Sequence, residues 1–180
     1  MNSGELKLLK AVAEGDKRAM ASLYECYMPR LWRFLYRITR DSDLIQELTN
    51  DVMLTVWQKA EQFRQESTVS TWILGIAYRK ALDAIRHQKR YRNRIEQLPE
   101  PAVQVNDVNA LIVDRDLDKL LDNLTTEQRA VAELSFGFGY SYPEIAEILG
   151  IPVNTVKTRM YYARKSMQAS FEGERPGGPK

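Results

Sequence analysis

Apolar residues recur at spacings of three and four residues along most of the chain, and no segment between turn signals alternates convincingly between apolar and polar residues. This spacing places apolar side chains on one face of an α-helix, whereas alternation is typical of a β-strand. The longest stripe lies between Lys17 and Thr39, and a shorter one lies between Glu5 and Ala13. The pattern therefore predicts an all-α fold.

Residues that typically begin or interrupt helices stand at the ends of these stripes or inside them. Asp16 and Asp41 each precede a stripe and are typical helix N-caps. Pro29 lies inside the longest stripe, where we expect it to kink or locally break the helix. A further helical segment runs roughly from Ser42 to Gln62, and another long helix starts near Thr71.

The periodicity is lost from Leu98 to Ala110, where Pro99 and Pro101 stand close together. Proline-rich segments without an apolar stripe are typical of linkers. Beyond it we expect a helix near Ile112 to Leu121. The sequence therefore predicts two small helical domains, residues 1–97 and 112–172. A flexible linker, residues 98–111, joins them, and a disordered tail, residues 173–180, follows.

Composition is that of a soluble globular protein, with 44% hydrophobic and 28% charged residues. No apolar run approaches the roughly 18 to 20 residues that cross a bilayer, and the first ten residues lack a signal peptide's apolar stretch, so we expect a cytoplasmic protein. Cys26 is the only cysteine and His87 the only histidine. An internal disulfide and a Cys/His zinc site are thereby excluded, and we expect neither cofactor nor metal.

The net charge of +2 hides an uneven distribution. A basic tract is interrupted only by Asp83, and an acidic stretch follows it; a second basic cluster lies near the end of the chain. Two separate basic surfaces suggest two contacts with one polyanion. The two basic groups are Arg79, Lys80, Arg86, Lys89, Arg90, Arg92 and Arg94, and then Lys157, Arg159, Arg164 and Lys165.

The segment from Ser141 to Lys165 has the signals of a helix-turn-helix. Ser141 and Glu144 have capping-box spacing, Gly150 tolerates a left-handed turn, and Pro152 suits the start of a second helix. In that helix the spacing predicts a buried stripe of Val153, Val156, Met160, Ala163 and Met167. The outward face is then Lys157, Thr158, Tyr161, Tyr162 and Lys165, which suits contacts with bases and phosphates in the major groove.

The segments EIAEILG and TVKTR, within Leu124 to Lys165, resemble region four of the extracytoplasmic-function (ECF) sigma factors, the smallest members of the bacterial sigma-70 family. The resemblance implies that this region contacts the minus-thirty-five promoter element. It places five residues there: Lys157, Thr158, Arg159, Tyr161 and Tyr162. Tyr162 stands where many relatives have arginine, so one expected contact with a phosphate or base of this element differs.

The segments GDKRAMASLYECY and STWILGIAYRKALDAIR resemble region two of the same family. That resemblance implies binding to the clamp helices of the largest subunit of core RNA polymerase and melting of the minus-ten promoter element. It assigns the loop Arg64 to Ser70 to holding an unstacked base. Lys80 replaces the asparagine of many relatives. The DNA-facing residues of the long helix are expected to be Arg79, Lys80, Arg86 and Arg90.

Asp43, Glu47 and Asp51 form an acidic stripe at four-residue spacing that is expected to bind the polymerase clamp. It is thinner than the acidic run of many relatives, since Ile45 and Gln46 stand in its place. We hypothesise that a Ser/Thr kinase phosphorylates Thr49 and so replaces the missing negative charge, since a phosphate would add about −1.5 to −2 charge. Ser42 and Thr55 are alternative acceptors. The sequence also leaves open an anti-sigma factor as the regulatory partner.

Two other classes of protein account for parts of the sequence. A repressor or activator that binds DNA without touching polymerase accounts equally well for the helix-turn-helix, although not for the basic N-terminal helix. An enzyme has little support, since the sequence has no glycine-rich phosphate loop and no metal-ligand cluster.

Overall fold

The protein is described here by a computed structural model that covers residues 3–94, Leu121 and residues 123–173. All regular elements in those residues are helical, which confirms the predicted fold class. The chain divides into two compact units, Met1–Val108 and Asn109–Lys180. The predicted linker, residues 112–120 of the helix expected near Ile112 to Leu121, and residues 174–180 lie outside the described residues. Gly173 is the last residue of the final helix.

Four α-helices make up the described part of the first unit: α1 (Ser3–Ala13), α2 (Lys17–Thr39), α3 (Ser42–Lys59) and α4 (Val69–Arg94). A short 3-10 turn, Ala60–Gln62, follows α3. The central helix α2 packs against each of the other three helices. Its core side chains are spaced as the apolar stripe predicts and are fully buried: Leu23, Tyr27, Leu31, Phe34 and Ile38.

Asp16 and Asp41 begin their helices as the sequence predicts. Asp16 Oδ1 accepts from the backbone N–H groups of Arg18 and Ala19 at 2.7 and 3.2 Å, and Asp41 Oδ1 accepts from that of Asp43 at 3.1 Å. These carboxylates satisfy N–H groups that the helix itself leaves without partners.

The expected break at Pro29 is absent, because α2 continues through it to Thr39. Pro29 is exposed, and so is Glu25, whose carbonyl would otherwise accept from residue 29. Water can satisfy a carbonyl on that side of the helix, so the missing hydrogen bond does not end it.

The second unit contains α5 (Thr126–Ala132), a π-helical turn (Glu133–Gly137), α6 (Tyr142–Leu149) and α7 (Val153–Gly173). Both α5 and α6 pack against α7. In α7, Val156, Met160 and Ala163 are buried, whereas Val153 and Met167 are only partly buried. The predicted stripe of α7 is therefore confirmed at its centre.

Two capping boxes fix the entries of α5 and α6. The Thr125 N–H donates to Gln128 Oε1 at 3.0 Å, and the Gln128 N–H donates back to Thr125 Oγ1 at 3.3 Å. Ser141 donates to Glu144 Oε2 from its backbone N–H at 2.8 Å and from its hydroxyl at 2.6 Å. Both boxes were predicted from four-residue motifs, because each depends only on neighbours in sequence.

Candidate functional site

A tight turn joins α6 to α7 and sets the angle at which α7 leaves the unit. Gly150 has φ 66°, a left-handed conformation that favours glycine. The Ile151 N–H donates to the Ala146 carbonyl at 3.0 Å, and the Gly150 N–H donates to the Glu147 carbonyl at 3.3 Å. The α7 helix begins one residue after Pro152. The arrangement is a helix, a glycine turn and a second helix with one face free of the core, as the sequence predicts.

Five side chains predicted to face outward on α7 are exposed: Lys157, Thr158, Tyr161, Tyr162 and Lys165. The rings of Tyr161 and Tyr162 meet edge to face, with centroids 5.4 Å apart. The Thr158 hydroxyl donates to the Asn154 carbonyl at 3.0 Å, so its methyl group and oxygen lone pairs remain for a ligand. These side chains form one surface with cationic, aromatic and hydroxyl groups.

Arg159 lies at the edge of that surface and not at its centre. It is only partly exposed, and its Nη1 is buried without a hydrogen-bond partner among the described residues. Nearby, the guanidinium of Arg164 lies 5.7 Å from the centroid of the exposed Phe136 ring. The π-helical turn that carries Phe136 was not predicted, since such turns are rare and occur mostly as single turns within α-helices.

The basic face of α4 belongs to the first unit. Arg79, Arg86 and Arg90 are exposed as predicted, and Arg86, Lys89 and Arg90 line an open groove with Asp83. Arg86 is partly neutralised there, since its Nη2 lies 2.8 Å from Asp83 Oδ1. The side chains of Arg92 and Arg94 lie outside the described ones. This face therefore has the charge that a phosphate backbone requires.

Among the basic side chains of α4 that the structure describes, Lys80 is paired with an acid on another helix. Its Nζ lies 3.3 Å from Asp51 Oδ2 on α3. The side chain of Lys80 is 30% exposed and that of Asp51 is 53% exposed. The pair therefore connects a residue of the expected DNA surface with a residue of the expected polymerase surface.

Of the aromatic residues near the loop Arg64 to Ser70, some lie in the core and others are partly exposed. Tyr78 is buried, which assigns it to the core. Phe63 and Trp72 are partly buried and contact each other, with ring centroids 5.2 Å apart, and Trp57 is also partly buried. An unstacked base can therefore reach part of the Phe63 and Trp72 surfaces but not Tyr78.

The loop Arg64 to Ser70 borders a cavity of about 130 Å³. Thr68 ends the loop as a cap, since its Oγ1 accepts from the Thr71 N–H at 3.1 Å, so α4 begins two residues earlier than predicted. Gln65 has φ 59°, a conformation uncommon for a residue other than glycine. The wall opposite the loop comes from α1. The lining residues are Glu5, Leu6, Phe63, Gln65, Ser67, Thr68 and Val69.

Sequence reasoning missed the part that α1 plays in this cavity. Glu5 is 7% exposed, and its Oε1 lies 3.3 Å from Arg30 Nη1 on α2. Tyr27 lies beside them; burial, reinforced by the negative charge of Glu5, raises the pKa of its phenol well above the usual range. The phenol is therefore neutral at physiological pH, and Arg30 is the cation that compensates the Glu5 carboxylate. The sequence signal for Glu5 is its position four residues before Leu9, on the apolar stripe of α1, where an acid is unexpected.

The acidic stripe is exposed along its length, at Asp43, Glu47 and Asp51. Thr49 does not belong to that surface, because it is fully buried and its Oγ1 has no hydrogen-bond partner among the described residues. The spacing explains this position: Thr49 follows the buried Ile45 by four residues and shares its face of α3. A kinase cannot reach this hydroxyl in the folded conformation, so the structure does not support Thr49 as a surface phosphorylation site.

Among residues 3–94 and 123–173, no three His, Cys, Asp or Glu side chains converge on a point that could hold a metal ion. Within the same ranges, no helix is long and apolar enough to span a membrane.

Comparison with known proteins identifies both units. The Sigma-70 region 2 family matches residues 23–91, and the Sigma-70 region 4 family matches residues 114–167. The ECF RNA polymerase sigma factor SigK of Mycolicibacterium vanbaalenii is 30% identical over 161 residues, covering 85% of this chain and 82% of the relative. SigK of Mycobacterium tuberculosis is 28% identical over 170 residues, covering 89% and 90%.

Solved structures agree on the fold. The sigma factor RpoE of Bartonella quintana, crystallised with the anti-sigma factor NepR, has a TM-score of 0.70 at 24% identity and covers 83% of this chain and 94% of that one. CnrH, solved with the cytosolic domain of CnrY, has a TM-score of 0.71 at 21% identity and covers 96% and 100%. With two sigma-70 regions in order and relatives aligned over most of their length, this chain belongs to the ECF sigma factors of the sigma-70 family.

Proposed function

We propose that this protein binds core RNA polymerase and directs it to promoter DNA as the subunit that chooses the start site. The observation that carries the proposal is the presence of three different surfaces in one chain. The second unit has a helix-turn-helix face suited to duplex DNA, and the first has a basic helix face together with an acidic stripe. A DNA-binding regulator needs the first of these surfaces but not the other two.

The α7 face is proposed to contact the minus-thirty-five element. In a helix-turn-helix the N-terminal residues of the second helix approach the base edges, and later residues approach the backbone. Lys157 and Thr158 lie in the first two turns, so they are assigned to bases, and Lys165 is assigned to phosphate. Tyr161 and Tyr162 lie between them, and Arg159 is assigned to the edge of the contact.

The exposed arginines of α4, Arg79, Arg86 and Arg90, are proposed to bind the backbone near the minus-ten element, with Lys80 as a fourth contact once it leaves Asp51. The loop Arg64 to Ser70 is proposed to hold a base that has left the stack. Its support is the cavity beside the loop and the partly buried rings of Phe63 and Trp72. A basic groove combined with partly exposed aromatic rings is the usual way to hold single-stranded DNA.

Asp43, Glu47 and Asp51 are proposed to bind the clamp helices of the largest polymerase subunit. Their carboxylates are exposed on one side of α3, on the side away from the buried Ile45 and Val52. Asp51 is already paired with Lys80, whereas Asp43 and Glu47 have no ion pair among the described residues, so they offer their negative charge to an incoming partner.

Regulation by an anti-sigma factor is proposed from the two similar solved structures, RpoE in complex with the anti-sigma factor NepR and CnrH in complex with the cytosolic domain of CnrY. Control by a Ser/Thr kinase stays a prediction from the sequence. The burial of Thr49 moves that prediction to the partly exposed hydroxyls of the same helix, Ser42 and Thr55.

Co-purification with core RNA polymerase distinguishes an initiation factor from the rival function, a DNA-binding regulator that does not bind polymerase. We expect the wild-type chain to elute with core enzyme and the double variant Asp43→Asn, Glu47→Gln to bind at least about tenfold more weakly. Glu14→Gln, an exposed acid outside α3, is the matched control and should bind as the wild type does. Absence of any complex with core enzyme would favour the regulator.

A further inference from the structure

An exposed aromatic ring lies on the π-helical turn that follows α5. Phe136 is 55% exposed, although it comes only two residues after the fully buried Leu134. The turn is closed by a backbone hydrogen bond, in which the Phe138 N–H donates to the Glu133 carbonyl at 3.1 Å. Both ends of the turn are thereby held, and the ring between them has a fixed place outside the core. Turns of this type are rare and are frequently found at functional sites.

A guanidinium from α7 lies over the ring of Phe136. The Cζ atom of Arg164 is 5.7 Å from the ring centroid, within the distance at which an aromatic face attracts a cation. Arg164 is exposed and has no ion pair with an acid among the residues that the structure describes. A guanidinium has five N–H donors, and in the same residues none of those of Arg164 has a hydrogen-bond acceptor. The ring therefore holds the charge near one position and leaves its donors for an anion.

Helix geometry places Arg164 on the side of α7 that carries Lys157. The two residues are seven positions apart. Seven residues make two turns of an α-helix less about 20°, with a rise of about 10 Å. Lys157 is exposed near the N-terminal end of α7, which is the end of the second helix that approaches the bases in a helix-turn-helix. Lys157 and Arg164 therefore form a short row of positive charge along one side of this helix.

We propose that Arg164 contacts a phosphate of the promoter duplex beside the minus-thirty-five element and that Phe136 is the positioning residue for this contact. The inference deepens the proposed function and rests on it, since it requires α7 to lie on DNA. A long side chain loses rotamer freedom when it binds, and that loss weakens binding. A guanidinium that the ring already holds loses less of this freedom. Phe136 thereby strengthens a contact with DNA that it does not make itself.

A protein is the other kind of partner that an exposed aromatic ring attracts, since such rings are enriched in protein interfaces. Here the ring already contacts a cation that no described acid compensates. Burying that charge in the apolar centre of a protein interface is unfavourable. A phosphate backbone supplies the missing negative charge and accepts the N–H groups of a guanidinium in pairs. The contact between Phe136 and Arg164 therefore favours DNA as the partner, and docking of a protein is the alternative outcome.

The test measures the affinity of holoenzyme, assembled from core polymerase and the full chain, for a labelled promoter fragment on which the wild-type holoenzyme starts transcription. Binding is titrated at several salt concentrations, on this fragment and on variants of its minus-thirty-five element. We expect Arg164→Gln to weaken binding at least about fivefold on all of these sequences and to reduce the slope of log affinity against log salt concentration by about one. Arg18→Gln, at an exposed position of α2 outside the expected DNA surfaces, is the control and should change neither quantity.

Phe136→Leu tests the positioning role, because leucine is apolar but has no aromatic face. With Arg164 present, this substitution should weaken binding by about two- to fivefold, the size of an exposed cation–π contact. In the Arg164→Gln background it should change binding by less than about 1.5-fold, because the ring no longer has a cation to hold. Phe136→Trp keeps an aromatic face and should bind as the wild type does. A merely structural role of Phe136 would give the same loss in both backgrounds.

Two results would overturn the inference directly: an unchanged salt slope in Arg164→Gln, or an equal loss from Phe136→Leu with and without Arg164. A lower affinity of Phe136→Leu for core polymerase, measured without DNA, would also overturn it and would identify the ring as a docking site for protein. Each of these results leaves the proposed function standing. A wild-type chain that forms no complex with core polymerase, or with which core polymerase starts no transcripts, would instead overturn the proposed function.

Discussion

Lys80 Nζ on α4 lies 3.3 Å from Asp51 Oδ2 on α3, so a cation assigned to DNA neutralises an acid assigned to polymerase. Both side chains are partly exposed, and such pairs typically contribute roughly 0 to 1 kcal/mol to stability. The pair therefore has little structural value, but it links the two surfaces. If the acidic stripe binds the polymerase clamp as proposed, we expect that binding to compete for Asp51 and to leave Lys80 available for phosphate.

Replacing Lys80 with glutamine tests this link. We expect the free energy of unfolding to change by less than about 1 kcal/mol and the affinity for core polymerase to rise, since Asp51 loses its internal partner. Fluorescence anisotropy with labelled protein measures the affinity, and Lys59→Gln, an exposed lysine at the end of α3, is the control. Unchanged or weaker binding of Lys80→Gln relative to this control would show that the pair does not restrain Asp51.

Thr49 gives a prediction about stability. Thr49→Val replaces a buried, unpaired hydroxyl with a methyl group, so we expect the free energy of unfolding to stay equal or rise by about 1 kcal/mol. Thr49→Glu should lower it by roughly 3 kcal/mol or more, because it buries an uncompensated charge. The three tryptophans all lie in the first unit, so urea denaturation followed by their fluorescence reports on this unit.

Thr55→Glu is the matched control, on the same helix but partly exposed, and its effect should stay within about 1 kcal/mol. A Thr49→Glu protein as stable as wild type would contradict the burial. The comparison also matters for any phosphorylation experiment, since loss of polymerase binding in Thr49→Glu would reflect unfolding.

The cap of α6 gives a prediction about pH. Hydrogen bonds from the Ser141 hydroxyl, and then from its backbone, lower the pKa of Glu144 below its ordinary value of 4.5. A lowered folded-state pKa stabilises the protein at pH values above 4.5 and loses that effect as the pH falls through the folded-state value. We expect amide exchange in α6 to accelerate on acidification, after correction for intrinsic rates. Ser141→Ala should cost about 1 kcal/mol at pH 7 and much less at pH 3.

The exposed face of α7 gives a prediction about promoter recognition. Lys157→Ala should lower holoenzyme affinity for the preferred minus-thirty-five sequence by about fivefold or more and relax selectivity at one position. Lys165→Ala should weaken binding to all sequences alike and reduce the slope of log affinity against log salt concentration by about one. Binding titrations at several salt concentrations separate the two effects. Identical behaviour of the two variants would contradict the assignment of Lys157 to bases and Lys165 to phosphate.

The features that sequence predicted well are local ones. The caps at Asp16 and Ser141, the left-handed turn at Gly150 and the central stripe of α7 each depend on residues within a few positions of one another. Helix capping and helical periodicity are decided at that range, so the pattern in the sequence is sufficient.

The features that the sequence did not predict depend on contacts between distant residues or on a side chain that has both a polar and an apolar group. Glu5 reaches a cavity whose other wall lies some sixty residues away in the chain, and periodicity carries no information about that pairing. Thr49 was treated as a polar residue, although its methyl group lets it pack on the face shared with Ile45. The sequence predicted a kink or a local break at Pro29, and the helix does not break there, because the exposed position of Pro29 allows α2 to continue.

Transcription in vitro from fragmented genomic DNA, with core polymerase and with or without this chain, tests the central claim most directly. The account predicts discrete transcript starts that appear only with the chain and share two sequence motifs at a fixed separation upstream. If the chain bound DNA fragments selectively but added no start to those of core polymerase alone, it would not be acting as an initiation factor.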